Sequence, residues 1–297
     1  MFTHFFKYQS LGNDFIVFDW YKKPSQYLDK GLADVQWPAA IRKLCDRNFG
    51  IGADGVLILK NNQEHGVPEM LIFNNDGSSA QSCLNGLRCI AQHLFSAHRY
   101  PENFSVKLGS RLIECRVFKT EIQSVSVIIT SLEGAFFGGM RTVQTTEGTF
   151  SGHVVDVGNP HFIIFEQKQL SWLEQHGNML EQHEQFPDKT NVEFVWHDKD
   201  EKKYYLNVYE RGCGVTRACS SGAAAFAGLL KQLNMTIADE QITICMPGGS
   251  ITASVKACGK IVLQASAAEV FQGILPESMF AGLIETKNTR WSLSGAI

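Results

Sequence analysis

The chain lacks any apolar run approaching the ~20 residues of a membrane-spanning helix. It also lacks a surplus of one charge: 27 Lys and Arg face 30 Asp and Glu, for a net −3. The first absence argues against membrane insertion by helices. The second removes the electrostatic case for nucleic acid or an anionic membrane surface. The opening, MFTHFFKYQSLGNDF, has no basic stretch leading into an apolar one, so secretion is not expected and a cytoplasmic location is. No C-x-x-C pair and no His–Cys cluster at ligand spacing occurs, so no metal is expected. A Gly-rich phosphate loop is missing too, and no cofactor is implied, pyridoxal phosphate included. The one dense charge run, HDKDEKK at 197–203, mixes signs and suits a solvated turn.

What is present is a chain of 297 residues, 44% hydrophobic, long enough for two cores. Strand-like segments recur: FIVFDW, VLIL, LIECRVF, SVSVIIT, HVVDV, HFIIF, NVEFVW, YYLNVYE, ITICM, ITASV and IVLQA. Several alternate apolar and polar residues as half-buried antiparallel strands do. Helical periodicity is scarcer, confined to AAIRKLCDR, CLNGLRCIAQHLFSAH, QLSWLEQH with the segment after it, and SSGAAAFAGLLKQL. This is not the strict alternation of a doubly wound parallel sheet, and the class expected is α+β. The halves resemble each other. CLNGLRCIAQHL (83–94) aligns without gaps on CSSGAAAFAGLL (219–230), and LGNDF (11–15) resembles VGNPHF (157–162). Both offsets are close to half the chain, which suggests an internal duplication with one cysteine at a helix start in each half.

A helix N-terminus presents outward-facing N–H groups and partial positive charge. A cysteine there is a usable base or nucleophile, and the same N–H groups bind a carboxylate. Small neighbours such as Gly86, Ser220, Ser221 and Gly222 let a ligand approach the backbone. Cys83 and Cys219 therefore fit a device in which one thiolate removes a proton beside a bound carboxylate and the other thiol returns one. Against this stands the fact that cysteine is among the most buried residue types. Cys45, Cys115, Cys245 and Cys258 lie in apolar helix- or strand-like runs and are read as structural, Cys89 as helix packing and Cys213 as a loop filler. A Cys–His nucleophile is a further option, with His161 the obvious histidine.

The chain resembles the diaminopimelate epimerase family over nearly its whole length. The ordered segments are FFKYQSLGNDF, CDRNFGIGADGVLIL, FNNDGSSAQSCLNGLRC, VDVGNPHFIIF, FPDKTNVEFV, VYERGCGVTRACSSGA and MPGGSI. The resemblance implies two pseudo-symmetric domains, each a mostly antiparallel sheet or barrel wrapped around a central helix, with the active site in the cleft between them. The halves expected are 1–123 with 265–297, carrying Cys83, and 124–264, carrying Cys219. It further implies Cys83 and Cys219 as acid/base residues, with the backbone of Leu84–Asn85 and Ser220–Ser221 holding the α-carboxylate. Asn13, Asn74, Asn159, Asn191, Glu210 and Arg211 would recognise the amino acid, with His161 and Glu210 bordering the thiols. A diaminopimelate substrate and a homodimer are implied by the same likeness. The chain departs from the family pattern at Leu84, Ser220, Val215, Gly55 and Ala265-Ser266-Ala267. Those departures keep two alternatives open: a racemase or epimerase of another amino acid, such as histidine or a hydroxyproline-like substrate, and a catalytically silent binding protein of the same fold. An isomerase of unsaturated tricarboxylates is disfavoured, because Glu210 would repel an acid-rich ligand.

Overall fold

A computed structural model describes residues 3–22, 37–62, 66–80, 83–119, 125–132 and 135–276. The chain divides into two compact units: Met1–Gln9 with Asp14–Ile113 and Ala268–Ile297, and Ser10–Asn13 with Glu114–Ala267. Apart from the short segment Ser10–Asn13, the divisions fall at 113/114 and 267/268, where 123/124 and 264/265 were expected. At both places a continuous strand carries the chain from one unit to the other, so the boundary lies inside regular structure.

In the first unit β1 (Thr3–Ser10) pairs antiparallel with the end of β17 (Ile261–Leu275). Then come β2 (Asn13–Asp19), α1 (Trp37–Cys45), β3 (Gly55–Asn62), β4 (Val67–Asn74), β5 (Ser79–Ala80), α2 (Leu84–Ala97), β6 (Asn103–Leu108) and β7 (Arg111–Lys119). β2 lies parallel to β3, β3 antiparallel to β4, β4 antiparallel to β5 and parallel to β6. Phe5, Ile16, Phe18, Ile41, Leu44, Val56 and Ile58 form its core between sheet and α1.

The second unit repeats this plan. It begins with β8 (Val125–Leu132) and β9 (Phe136–Thr145), and continues with β10 (Gly148–Asp156) and β11 (Pro160–Ile164). Next come α3 (Leu170–Glu181), β12 (Asn191–Asp198), β13 (Lys203–Glu210), β14 (Gly214–Val215) and α4 (Ser220–Gln232). β15 (Ile242–Met246) and β16 (Gly249–Val255) lead into β17. β11 lies parallel to β12, β12 antiparallel to β13, β13 antiparallel to β14 and parallel to β15. Element by element this is the pairing of β2 to β6, so the duplication suggested by the short sequence matches is present in the topology. Val143, Phe150, Phe162, Leu173, Leu180, Val192 and Phe194 form the second core against α3.

α2 and α4 are the enclosed helices. Every residue from Leu84 to Leu94 is buried in α2, and Gly222 to Leu230 in α4. Each is apolar on nearly all sides, the composition of a helix surrounded by strands. α2 packs on β3, β4 and β6, and α4 on β10, β11 and β16. The four helices among the described residues coincide with the four periodic segments, and the mixed α+β class holds. Of the charge run 197–203, residues 199–202 form the turn between β12 and β13 and the rest ends or begins those strands, with the Asp198 Oδ1 accepting from the amides of Asp200 and Glu201.

Candidate active site

Cys83 and Cys219 occupy the same structural position, the residue immediately before the first helical turn of α2 and of α4. Both have extended backbones, φ/ψ −152/103° and −116/108°. Each sulfur accepts a hydrogen bond from the amide three residues on, Gly86 N and Gly222 N, at 3.3 Å in both cases. That place is usually filled by the oxygen of Ser, Thr, Asp or Asn. A thiol there is fixed in the field of the helix end, which favours negative charge. Leu84 with Asn85, and Ser220 with Ser221, are the first two helical residues, whose N–H groups are aimed out of the helix end.

The two caps differ in what packs beneath them. A Cβ on Gly222 would lie 2.7 Å from Glu193 Oε1, whereas one on Gly86 would meet the Leu57 methyls at 3.0 and 3.2 Å. Leu57 and Glu193 are the third residues of β3 and β12, equivalent positions in the repeat. Register extends the correspondence: Phe15 stands beside Gly55, and His161 beside Asn191. An apolar pair in the first unit is thus a His–Glu pair in the second.

That pair is buried, with His161 Nδ1 2.6 Å from Glu193 Oε1. His161 Nε2 lies 3.2 Å from Asn159 Oδ1, and Asn159 Nδ2 donates to Ser221 Oγ at 3.2 Å. Ser221 Oγ is 3.4 Å from Cys219 Sγ. Three side chains, His161, Asn159 and Ser221, therefore connect a buried carboxyl to the sulfur. Glu210, at the end of β13, accepts a hydrogen bond from Thr216 and interacts with Cys219. Burial pushes the Glu210 carboxyl above the usual carboxylate range, and the nearby Glu193 adds to it. Burial likewise pushes the Cys219 thiol well above its ordinary value, with Glu210 and then Glu193 adding repulsion.

Cys83 has the opposite neighbour. Arg88, fully buried on α2, donates to Asn85 Oδ1. Desolvation lowers the guanidinium to about 10, while Cys89 and Cys83 act in the other direction. Ala224 holds the equivalent place on α4, five residues after the cysteine. One sulfur sits near a buried cation, and the other beside the half-buried Glu210 with the buried Glu193 behind it.

The remaining expected residues divide between the units. Asn74 ends β4 and donates to Ser78 Oγ at 3.0 Å within a turn. Asn13 begins β2 and clusters with the second unit, where Leu11 and Gly12 lie against Arg217 and Gly248. Asn191 bridges two segments: its Nδ2 donates to Pro160 O at 2.8 Å, and its Oδ1 accepts from Arg211 N at 3.0 Å. The exposed Arg211 side chain donates to Asp188 O at 3.0 Å. It lines a cavity of about 450 Å³ together with Asn159, Arg141 and Lys189.

Of the cysteines read as structural, Cys45 and Cys115 are buried and pushed up to about 12 by desolvation. Cys89 is fully buried on α2, as helix packing requires. Cys245 lies half-buried in β15, and Cys213 is exposed in a turn. Cys258 is a correction: it is exposed in the turn between β16 and β17, because the apolar strand begins only at Ile261.

Three features escaped the motif reading. Glu193 signalled itself only as a lone acid inside NVEFVW, and Arg88 as a lone cation inside CLNGLRCIAQHL. Asp19, His93 and His98 also come together, with Asp19 Oδ2 3.1 Å from His93 Nε2 and 2.7 Å from His98 Nε2. Burial would raise the Asp19 carboxyl, but hydrogen bonds from His93, the Tyr21 amide and His98 outweigh it and hold it below the usual range.

Two paired-strand units, each with a capped central helix, are an architecture found in solved epimerases and isomerases. The chain matches a hydroxyproline epimerase from Agrobacterium vitis with TM-score 0.69 at 11% identity, covering 92% of each chain. A methylitaconate-delta-isomerase matches with TM-score 0.62 at 13% identity, covering 99% of each. By class the protein is an epimerase of the kind that works without pyridoxal phosphate. The sequence narrows this further. The model of the diaminopimelate epimerase family matches residues 5–129 and 153–270. A diaminopimelate epimerase of Prochlorococcus marinus (strain NATL1A) is 32% identical over 286 residues, covering 91% of this chain and 98% of the relative. That of Carboxydothermus hydrogenoformans is 33% identical over 256 residues, covering 83% and 90%. The chain belongs to the diaminopimelate epimerase family. Among the described residues, no helix is long and apolar enough to cross a membrane.

Proposed function

We propose that the protein interconverts LL- and meso-diaminopimelate by two-base proton transfer between Cys83 and Cys219. The observation that carries this reading is the repeated cap: two sulfurs at equivalent helix starts, each held 3.3 Å from the amide of a glycine. In one direction the thiolate of one cysteine takes the α-proton, and the thiol of the other gives a proton to the opposite face of the resulting carbanion. The α-carboxylate suits the amides of Leu84–Asn85 and Ser220–Ser221, where the helix dipole offsets the charge that spreads onto it. Positioned acid/base groups supply only about 10²–10⁴-fold. Orientation and exclusion of water must supply the rest.

The different surroundings of the sulfurs support one assignment of their resting states. Cys83, beside the buried Arg88 guanidinium, rests as the thiolate, and Cys219, hydrogen-bonded to Glu210, rests as the thiol. Asn159 and Arg211 share the cavity of about 450 Å³. A guanidinium suits the distal carboxylate and an amide the distal ammonium or carboxylate. A mono-acid substrate would leave Arg211 without that partner.

The test is proton NMR of LL-diaminopimelate with reduced protein in heavy water. Loss of the α-proton signal with appearance of the meso isomer is expected, and Cys83→Ser and Cys219→Ser should each abolish it. Absence of exchange with folded protein and free thiols would overturn the substrate, and full activity in Cys83→Ser would overturn the mechanism.

A further inference from the structure

Glu193 takes and gives no proton in the two-cysteine scheme, yet it is the most constrained acidic group near Cys219. It is 0% exposed, its Oε1 is held 2.6 Å from His161, and its Oε2 is buried with no hydrogen-bond partner. Burying a carboxyl in this way costs free energy unless something is gained from it. The absence of a side chain at Gly222 is what admits it against the first turn of α4.

Proton accounting along the chain shows what is gained. Asn159 uses its Nδ2 as donor to Ser221, which leaves its Oδ1 to accept from His161 Nε2. His161 Nε2 therefore carries hydrogen. The 2.6 Å contact at Nδ1 must then hold one more proton, either on the imidazole or on the carboxyl. The pair is net neutral in both cases. Ser221 Oγ accepts from Asn159, so its own hydrogen is free to point at Cys219 Sγ. Every donor in the sequence His161, Asn159, Ser221 points towards the sulfur. The first unit has no such device, since Phe15 and Leu57 stand where His161 and Glu193 do.

On the reading of Cys219 as an acid/base group, we propose that Glu193 is a positioning residue: it shares one proton with His161, and the imidazole so oriented directs Asn159 and Ser221 onto Cys219 Sγ. The oriented hydroxyl meets the thiolate that forms whenever Cys219 gives up its proton. Among the described residues, the titratable groups acting on Cys219 are Glu210 from β13 and Glu193 from β12, with His161 from β11 bonded to Glu193.

The test compares wild type with E193L, E193Q, S221A and E193L/S221A. It tracks alkylation of Cys219 and of Cys83 by iodoacetamide across pH, resolved by mass spectrometry, together with kcat and KM. E193L leaves Nδ1 without its partner and releases the direction of the chain. The Cys219 profile should move to higher pH, with about three- to tenfold slower alkylation at fixed pH, while Cys83 is unmoved. E193Q, whose amide can donate to Nδ1, should restore most of the rate. kcat should fall about tenfold in E193L with KM within about threefold. In the S221A background E193L should add no further shift, because it acts through that hydroxyl. A shift of the Cys219 profile to lower pH in E193L would mean that Glu193 acts as a bare charge, and overturns the proposal. So does an additive shift in E193L/S221A. If E193L does not fold, an E193Q profile that departs from wild type at Cys219 overturns it, and one that coincides while S221A is shifted supports it. The alkylation needs no substrate, so a failure of the diaminopimelate assay would leave this result standing.

Discussion

Substituting Gly222 by Ala sets two calculable effects against each other. Gly222 is the third residue of α4, where alanine is favoured over glycine by about 1 kcal/mol. Against this, the new Cβ would stand 2.7 Å from Glu193 Oε1 and 3.3 Å from its Cγ and Cδ. The carboxyl cannot retreat easily, because it is wholly buried and its Oε1 is fixed by His161. Overpacking of this kind costs about 1–3 kcal/mol, and loosening a buried hydrogen bond about 1–3 more. The steric side wins, and Gly222→Ala should destabilise by about 1–5 kcal/mol, or roughly 2–4 °C in Tm per kcal/mol. Gly86→Ala is the internal control. There the Cβ meets the ends of the Leu57 side chain at 3.0 and 3.2 Å, which can rotate aside, and Cys83 Sγ at an ordinary 3.5 Å, so the effect should be small. Urea unfolding of both variants, monitored by far-UV circular dichroism, measures the difference. A Gly222→Ala protein no less stable than Gly86→Ala would refute the claim that Glu193 is pinned beneath the α4 cap. Shortening the acid in G222A/E193D should recover part of the loss.

Three further outcomes rest on individual contacts. Asp14 lies 2.6 Å from Lys7 Nζ and 2.7 Å from Arg47 Nη2; burial would raise its carboxyl, but these bonds outweigh it and lower it from 3.8 to about 2. A depressed folded value contributes stability above the unfolded pKa and loses it as pH falls through the folded one. Asp14→Asn should therefore remove about 2 kcal/mol at neutral pH and flatten the loss of stability between about pH 4 and 2, and an unchanged acid limb would contradict this. Gly177 on α3 faces Tyr209, whose ring Cγ would lie 2.6 Å from an added Cβ, so Gly177→Ala should cost about 2–3 kcal/mol in thermal unfolding despite its better helix propensity. Arg211→Lys replaces a fork with a point charge in the cavity beside Asn159, and should raise KM for diaminopimelate about tenfold with kcat little changed; an unaltered KM would remove Arg211 from carboxylate recognition.

Much of the fold was legible because its elements carry local signals. The four periodic segments are helices, and all eleven strand-like segments, several of them alternating, fall on strands among the described residues. The strands that local pattern did not single out have physical reasons for silence. β9, FFGGMRTVQT, has two adjacent glycines and is mostly exposed, so it shows no buried alternation. β5 and β14 are two-residue pairings that exist only because β4 and β13 lie beside them. β4 carries a proline in its second position, which argues against a strand unless its neighbour tolerates a missing donor. The repeat was visible in two short matches, but its extent became clear only from strand pairing, since β2 with β3 and β11 with β12 share direction and hardly any residues.

The two cysteines were readable because a helix start is a local pattern, whereas their surroundings are not. Glu193 reaches the Cys219 cap only through the parallel register that sets His161 beside Asn191, and Arg88 looks in sequence like any exposed helical cation. Those two residues are also where the repeat breaks its symmetry. Leu57 becomes Glu193, and Arg88 becomes Ala224, so one copy of the cap gains an acid and the other keeps a cation. A pair of identical caps would not serve a two-base reaction well. Two thiols of equal acidity would share their protons at random, and at most half the molecules would hold the one-thiolate, one-thiol state that turnover needs. Placing a buried cation beside one sulfur and the Glu210 carboxyl beside the other biases the pair towards one resting arrangement. The duplicated backbone supplies two equivalent sulfurs, and the few charged side chains that differ between the copies make them unequal.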